Sequence, residues 1–315
     1  MPRSLFPGQH CRVLIVDATT GATEVVFDSE ETLVEAPNWS PDGRFLVLNG
    51  DGLLWRLAVD RRDARTEALE PIAMHGVPEI NNDHVLAPDS RSVFVSGKDG
   101  HLYEVPWAGG PGRRVTRDHP EGRGYKNYLH GVSPDGTTLA VVVGSRPTPE
   151  STVDEWRTNL ALVSVATGET LLVTDDVHPD DGPEFAPDGE WLWFNTERFT
   201  AGGRTGVPGH AQLARVPRGG GEPGRVVVSD TVDWFPHPSP DGSTLVFLSY
   251  AAGTQGHPEN HEVVLRVLEL HDGEPVPGAV PRDLLRLFGG QGTLNVSGWA
   301  PDSRRFACVE YPLPT

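Results

Sequence analysis

The stretch that decides the fold is Asp233-Trp-Phe-Pro-His-Pro-Ser-Pro-Asp-Gly-Ser-Thr-Leu-Val-Phe-Leu-Ser-Tyr250. It predicts a strand, a tight turn and a second strand. In the turn, Pro240 presets φ, Asp241 can accept hydrogen bonds from the backbone that follows it, and Gly242 tolerates a positive φ. The arm from Leu245 to Tyr250 is apolar and β-prone, which is typical of a buried strand.

The same turn recurs along the whole chain. Five further copies follow a serine or alanine, and successive prolines lie 46 to 61 residues apart. A strand-turn-strand unit repeated at this interval is typical of the blades of a β-propeller. The five further copies are Ser40-Pro41-Asp42-Gly43, Ala87-Pro88-Asp89-Ser90, Ser133-Pro134-Asp135-Gly136, Ala186-Pro187-Asp188-Gly189 and Ala300-Pro301-Asp302-Ser303.

Composition agrees with an all-β protein. The chain of 315 residues contains 36 glycines and 29 prolines, which suits short strands joined by many turns. No apolar stripe with helical spacing runs for more than a turn or two, and the best candidate, residues 282–288, could equally be an outer strand. We therefore predict one domain over residues 1–315, an all-β, six-bladed propeller with four-stranded blades.

The two ends of the chain are expected to complete one blade together. Residues 11–28 predict a hairpin with no turn motif before it, whereas the last repeat stops after two strands. Joining them closes the ring and removes exposed strand edges, and it puts Cys11 and Cys308, both expected to stay reduced, on neighbouring strands. The predicted blades cover about 33–71, 79–117, 126–175, 180–230, 232–287, and 294–310 with 11–28.

Charge limits the class of partner. The formal net charge is −18, and such a field repels nucleic acid and anionic membranes, so neither is expected as a partner. The first ten residues lack the apolar core of a signal peptide, and no apolar run is long enough to cross a membrane. We expect a cytoplasmic protein that binds a small polar metabolite or carbohydrate.

One face of the predicted ring carries its long connections. The turns at Asn49–Gly52 and Gly97–Gly100 are tight, whereas 145–158, 197–209 and 251–261 are long. Long loops on one face of a rigid scaffold are where binding sites usually lie. This face is therefore the predicted functional face.

The candidate site consists of polar residues that precede the turns and begin the innermost strands on that face. Imidazole, carboxylate and amide groups together could hold Zn²⁺ or Mn²⁺, and a set built on Asp83, Asp181 and amides would suit Ca²⁺. The alternative is that they bond to the channel wall and to ordered water. Predicted metal ligands are His84, His130, Asp181 and His237, and the three histidines are also the candidate catalytic residues. Predicted ligand-binding residues are Glu35, Asn38, Asn82, Lys126, His257, Gln291 and Asn295.

The repeated [Ser/Ala]-Pro-Asp-[Gly/Ser] turn, followed each time by a short apolar strand, resembles the PD40 repeats of TolB-like six-bladed propellers. The resemblance covers essentially the whole chain, without the signal peptide and N-terminal α/β domain of TolB itself. The repeats are also similar to the propellers of prolyl-oligopeptidase-type enzymes, here without the hydrolase domain. They resemble those of oligogalacturonate lyases too, whose histidine-bound metal lies in a setting comparable to that of His84, His130 and His237.

Two classes of function follow. The first is a small-molecule site at the channel mouth, with a divalent metal, that supports lyase or hydrolase chemistry on a sugar-like or other polar metabolite. The second is a non-catalytic platform for a protein partner, the commonest use of a propeller. The long loops offer Trp156 and Phe199 as aromatic contacts for such a partner. No Gly-x-Ser-x-Gly, Gly-x-x-x-x-Gly-Lys or Cys-x-x-Cys motif occurs to support other chemistries.

Overall fold

The structure is a computed structural model that describes residues 3–59, 69–199 and 209–314. Within these ranges nearly all regular structure is β-strand, and no helix there is long and apolar enough to span a membrane. The strands are β1 Cys11–Asp17, β2 Thr23–Ser29, β3 Glu35–Trp39, β4 Phe45–Gly50, β5 Leu53–Ala58, β6 Glu70–Ile72, β7 Met74–His75, β8 Ile80–Leu86, β9 Ser92–Gly97, β10 Leu102–Pro106, β11 Gly110–Pro111, β12 Arg113–Arg114, β13 Lys126–Val132, β14 Thr138–Ser145, β15 Arg157–Ser164, β16 Thr170–Leu172, β17 Asp180–Phe185, β18 Trp191–Thr196, β19 Gln212–Pro217, β20 Gly224–Arg225, β21 Val232–Pro238, β22 Thr244–Tyr250, β23 Glu259–His271, β24 Glu274–Pro275, β25 Arg282–Gly290 and β26 Arg305–Glu310.

These strands form the predicted six blades. Blades one to four are the antiparallel sheets β3-β4-β5-β6, β8-β9-β10-β12, β13-β14-β15-β16 and β17-β18-β19-β20. Blade five is β21-β22-β23-β25, so the segment that could have been a helix is its outer strand. Most of the predicted loop 197–209 lies outside the described residues.

Blade six is closed by the chain start, as predicted. Strand β26 pairs with β1, and β1 pairs with β2, while Trp299 bridges to Phe306 on the innermost edge. Cys11 and Cys308 lie on these neighbouring strands as buried free thiols. The core consists of the apolar faces packed between successive blades, such as the cluster that joins Trp39, Leu46 and Leu48 to strand β1.

The six turns have the predicted geometry. In blade five, Gly242 N–H donates to Ser239 O at 2.8 Å, and Asp241 Oδ1 accepts from Ser239 Oγ at 2.6 Å. Gly242 has a φ of 69°, and Ser303, which takes the glycine position in blade six, has a φ of 56°. Since positive φ disfavours residues with a Cβ, the motif is explained by backbone conformation.

This explanation predicts opposite effects of two substitutions at equivalent positions. Gly242→Ala should lower the free energy of unfolding by about 1 kcal/mol, because alanine is strained at positive φ, and a Cβ there meets no atom closer than 3.6 Å. Ser90→Gly, at the same turn position of blade two with a φ of 59°, should leave the stability unchanged or raise it. Urea unfolding of both variants measures the difference, and equal stabilities would contradict a backbone origin.

The innermost strands contain the feature that shapes the channel. In blades one to five, the pairing of the innermost strand with its neighbour shifts register near the middle of the strand, as in a β-bulge. Ala36, Gly182 and Phe235, each five residues before its turn proline, have φ values of 53°, 62° and 56°. Bulges of this kind re-aim side chains and are common beside functional sites.

Candidate functional site

A cavity of about 380 Å³ lies at the channel mouth, and we call it the mouth cavity. Its walls come from the innermost strands β8, β13, β17 and β21, from two loops, and from the segment before blade six. Its volume falls within the range of small-molecule sites. Its polar wall includes Asn82, Asp83, His130, Asp181, His257 and Asn295, and its aromatic wall Tyr128, Trp156 and Phe235.

His130 is the centre of this cavity. It lies in the bulge of β13, because its neighbours Leu129 and Gly131 pair with consecutive residues of β14. Its Nδ1 donates to the Asn295 carbonyl at 3.0 Å, and its Nε2 lies 3.2 Å from Asp181 Oδ1. A carbonyl and a carboxylate can only accept, so both ring nitrogens carry protons and the ring is an imidazolium.

Electrostatics support the charged form of His130. Burial by itself would lower the pKa of His130, but the charge of Asp83 and the hydrogen bond to Asp181 outweigh it and raise the pKa to about 9. A buried cation of this kind is stable only when acceptors surround it. His130 is therefore a fixed positive charge at neutral pH.

The two carboxylates beside His130 differ in their proton affinity. Burial acts to raise the pKa of Asp181, but hydrogen bonds to His130 and His257 hold it well below its usual range. For Asp83, burial is the largest effect, and with the nearby charge of Asp181 it raises the pKa to about 6 despite the opposing charge of His130. Asp83 thus exchanges its proton near neutral pH, whereas Asp181 stays ionised.

His257 and the aromatic rings form the rim. The Nε2 of His257 lies 3.6 Å from Asp181 Oδ2, and its Nδ1 donates to the side-chain oxygen of Gln291. The His257 ring meets Trp234 and Phe235 edge-on, at centroid distances of 4.5 and 5.2 Å. Phe235 also stacks on His130 at 5.8 Å, so the rim loop of blade five is held against the charged centre.

The structure brings six of the predicted site residues together in the mouth cavity: Asn82, His130, Asp181, His257, Gln291 and Asn295. Glu35 lies in an adjoining cavity instead, and Lys126 is exposed and lines neither. Asn38 is buried between blades, where its amide donates to Ser297 O and accepts from Leu86 N–H, both at 2.7 Å.

The structure does not bring the predicted metal ligands His84, His130, Asp181 and His237 together, because only His130 and Asp181 line the mouth cavity. His84 Nε2 donates to Val47 O at 3.2 Å, and burial lowers the pKa of His84 to about 4. His237 Nε2 donates to Leu294 O at 2.9 Å, and its Nδ1 contacts Glu184. Over the described ranges, no group of three or more histidine, cysteine, aspartate or glutamate side chains is placed to hold a metal ion.

The bulges explain why these four residues do not converge. His84 and His130 both lie four residues before a turn proline, yet His84 is in the ladder, paired with Val95, whereas His130 is the bulged residue. Equal spacing therefore places one imidazole between blades and the other in the channel. His84 and His237 are structural residues that join neighbouring blades, and neither lines the mouth cavity.

Sequence reasoning missed part of the site. The sequence points to Asp83 only as a Ca²⁺ ligand and to Trp156 only as a contact for a protein partner. It does not predict that Tyr128, Trp156 and Phe235 form an aromatic wall. One signal could have found much of the site: the residue six before each turn proline. In five blades this residue lines the mouth cavity or the adjoining cavity, and in blade five it is Trp234, which packs on His257. The five lining residues are Glu35, Asn82, Tyr128, Asp181 and Asn295.

Similarity to known proteins agrees with this fold. No family model matches the chain. An uncharacterised protein of Agrobacterium fabrum (strain C58) is 34% identical over 314 residues, which is 98% of this chain and 95% of that protein. A solved structure from Agrobacterium tumefaciens, assigned as TolB, has a TM-score of 0.80 at 33% identity, covering 98% of this chain and 99% of that one.

More distant structures share the fold alone. Oligogalacturonate lyase from Vibrio parahaemolyticus has a TM-score of 0.56 at 15% identity, over 91% of this chain and 74% of that one. An oligogalacturonate lyase in complex with manganese gives 0.54 at 16%, with the same coverage. Fold and site together define a six-bladed propeller with a charged, aromatic-walled cavity at the channel mouth. The chain belongs to the family of TolB-like propellers.

The protonation of His130 predicts how stability depends on pH. Because its pKa rises from 6.5 to about 9 on folding, the stabilisation is fully present below pH 6.5 and is lost as pH rises through about 9. The free energy of unfolding should fall by on the order of 3 kcal/mol across this window.

Urea unfolding at a series of pH values measures this loss. The variant His130→Gln lacks the titrating group, so its stability should change less over the same window. Parallel curves for the two proteins would contradict a buried imidazolium.

Proposed function

We propose that the protein binds a small, polar, hydroxyl-bearing metabolite in the mouth cavity. The observation that carries this proposal is the charged group Asp83–His130–Asp181 facing an aromatic wall in one cavity. Aromatic faces cover the C–H surface of a sugar-like ring, while carboxylates and amides bond to its hydroxyl groups. The formal net charge of −18 favours a neutral or cationic ligand over a polyanion.

The site also has the groups for acid–base chemistry. Asp83, with a pKa of about 6, can accept a proton from a bound substrate and return it. His130 is positioned as a fixed cation that stabilises negative charge developing on the substrate. This combination supports lyase or hydrolase chemistry on the bound metabolite in the cytoplasm, with Asp83 as the catalytic acid–base and Asp181 as a positioning residue for His130.

This chemistry does not use a metal. The manganese complex of oligogalacturonate lyase shows that a propeller of this fold can hold a divalent ion. The donor set in the present chain does not fit one, since the imidazolium of His130 has no free lone pair and Asp181 already accepts from it. We therefore assign the acid–base role to side chains alone.

The scaffold function has less support. Trp156, one of the two aromatic residues predicted to face a partner, lines the mouth cavity, and Phe199 packs against blade four with the Arg225 guanidinium 5.5 Å from its ring. Leu171 and Leu172 are neighbouring exposed apolar side chains on the outer strand β16, with exposed fractions of 64% and 43%. Two exposed leucines are an ordinary surface feature.

Variants of the cavity wall test the proposal. Trp156→Ala and Asp181→Asn should each weaken binding of neutral or amino sugars about tenfold or more, because they remove the stacking face and the ionised acceptor. Isothermal titration with glucose, galactose and glucosamine measures the affinities. Asp188→Asn, an exposed turn carboxylate on the opposite face of the ring, is the matched control and should bind as the wild type does.

Two results would contradict the proposal. One is failure of the folded wild type to bind any of these probes. The other is binding that needs added Mn²⁺ or is abolished by a chelator, which would restore a metal-dependent site.

A further inference from the structure

A second cavity adjoins the mouth cavity. It has a volume of about 240 Å³, and we call it the side cavity. Its wall comes from blades one, two and five, from Arg3 near the chain start, and from Gln291 before blade six. The two cavities share Asn81, Asn82 and Gln291, so the residues at their junction belong to both walls. The two cavities therefore adjoin at Asn82.

The side cavity is lined by buried polar groups that lack partners. Among the described residues, Arg3 Nη2, Asn49 Oδ1 and Asn82 Nδ2 are buried and have no hydrogen-bond partner. Asn49 and Asn82 are only 4% and 8% exposed, and the Arg3 side chain is 10% exposed. Native proteins satisfy nearly all such groups, so three in one wall indicate a site that another molecule completes.

The charge of the side cavity favours a hydroxyl-bearing molecule over an anionic one. Arg3 is held by Glu35 at 2.8 Å and Glu259 at 2.9 Å, and its guanidinium lies 3.9 Å from the centre of the Tyr311 ring. Asp51 adds a third carboxylate to the wall. These carboxylates outnumber Arg3 and accept hydrogen bonds from hydroxyl groups, but they repel another carboxylate.

The remaining cation does not alter this balance. Lys98 also lines the side cavity, but its ammonium group pairs with Glu79 at 2.7 Å. A molecule bound in the side cavity therefore faces more negative than positive charge, because Glu35, Asp51 and Glu259 outnumber Arg3. The selectivity of the side cavity comes from this excess together with two unpaired amide atoms. Asn49 Oδ1 can accept a hydrogen bond from a hydroxyl-bearing ring, and Asn82 Nδ2 can donate one to it.

We propose that the side cavity is a second subsite, so that the ligand has two linked, hydroxyl-rich units and its second unit carries no carboxylate. This inference rests on the proposed function of the mouth cavity, which takes the first unit. Asn82, at the junction, contacts both units. Arg3 fixes Glu35 and Glu259 in place as a positioning residue.

Affinities for matched one-unit and two-unit probes test this proposal. The probes are glucose, cellobiose, maltose and cellobiouronic acid, titrated calorimetrically into the full chain. At least one of the two neutral disaccharides should bind about tenfold more tightly than glucose. Cellobiouronic acid should lose that gain, because a carboxylate on either unit meets a wall of excess negative charge.

Variants separate the second subsite from the first. In Asn49→Ala, the ratio of disaccharide to glucose affinity should fall to about one, because an amide of the side cavity is lost. The Glu259 side chain is 48% exposed, so Glu259→Gln should fold as the wild type does. In this variant the affinity for cellobiouronic acid should rise relative to that for cellobiose, because one negative charge is removed from the wall. Asp188→Asn, at an exposed turn carboxylate on the opposite face of the ring and outside both cavity walls, should leave both ratios at their wild-type values.

The outcomes distinguish the two proposals. Equal affinities for glucose and both disaccharides would overturn the second subsite while the mouth cavity remained a binding site. Preference of the wild type for cellobiouronic acid would overturn the assigned chemistry of the subsite. No binding of any probe would overturn the proposed function, and this inference with it.

Discussion

The register shift in the innermost strands of blades one to five is the constraint on which the site depends. A regular ladder would place alternate side chains between blades and leave the channel wall uniform. The bulge frees one or two residues of the strand from that alternation. In blade three the freed residue is His130, which reaches the Asn295 carbonyl of blade six, across the ring from its own blade. The repeated turn fixes where each strand ends, and the bulge determines which side chains face the channel.

The buried imidazolium gives the mouth cavity its chemical asymmetry. Two carboxylates lie beside one cation, and their different hydrogen bonds separate their proton affinities. Asp181 accepts a hydrogen bond from His130 and lies beside His257, so its pKa is low and it stays ionised. The pKa of Asp83, by contrast, is raised to about 6. Pairs of titratable groups whose environments differ in this way are typical of acid–base sites. The excess of carboxylates over cations in the mouth cavity disfavours anionic ligands there.

The sequence predicts the fold far better than the site. The turn motif has a direct physical cause in backbone conformation, so six copies define six blades, and the incomplete last repeat implies closure by β1 and β2. Spacing from the turn also leads to Asn82, Asp181 and Asn295. It fails for His84 and His237, because it assumes that equal positions in different blades have equal orientation. The bulges differ between blades, and no residue type in those strands signals where each bulge lies.

Nitrogen-15 NMR of the histidine side chains tests the central claim, the buried cation at the channel mouth, most directly. The spectrum is recorded near neutral pH, and the His130→Gln variant assigns the His130 signals. If His130 is a buried imidazolium, both Nδ1 and Nε2 carry protons, and their chemical shifts are typical of an imidazolium. A neutral ring with a single N–H would contradict the buried cation. One of the two acceptors, Asn295 O or Asp181, would then receive no hydrogen bond from His130.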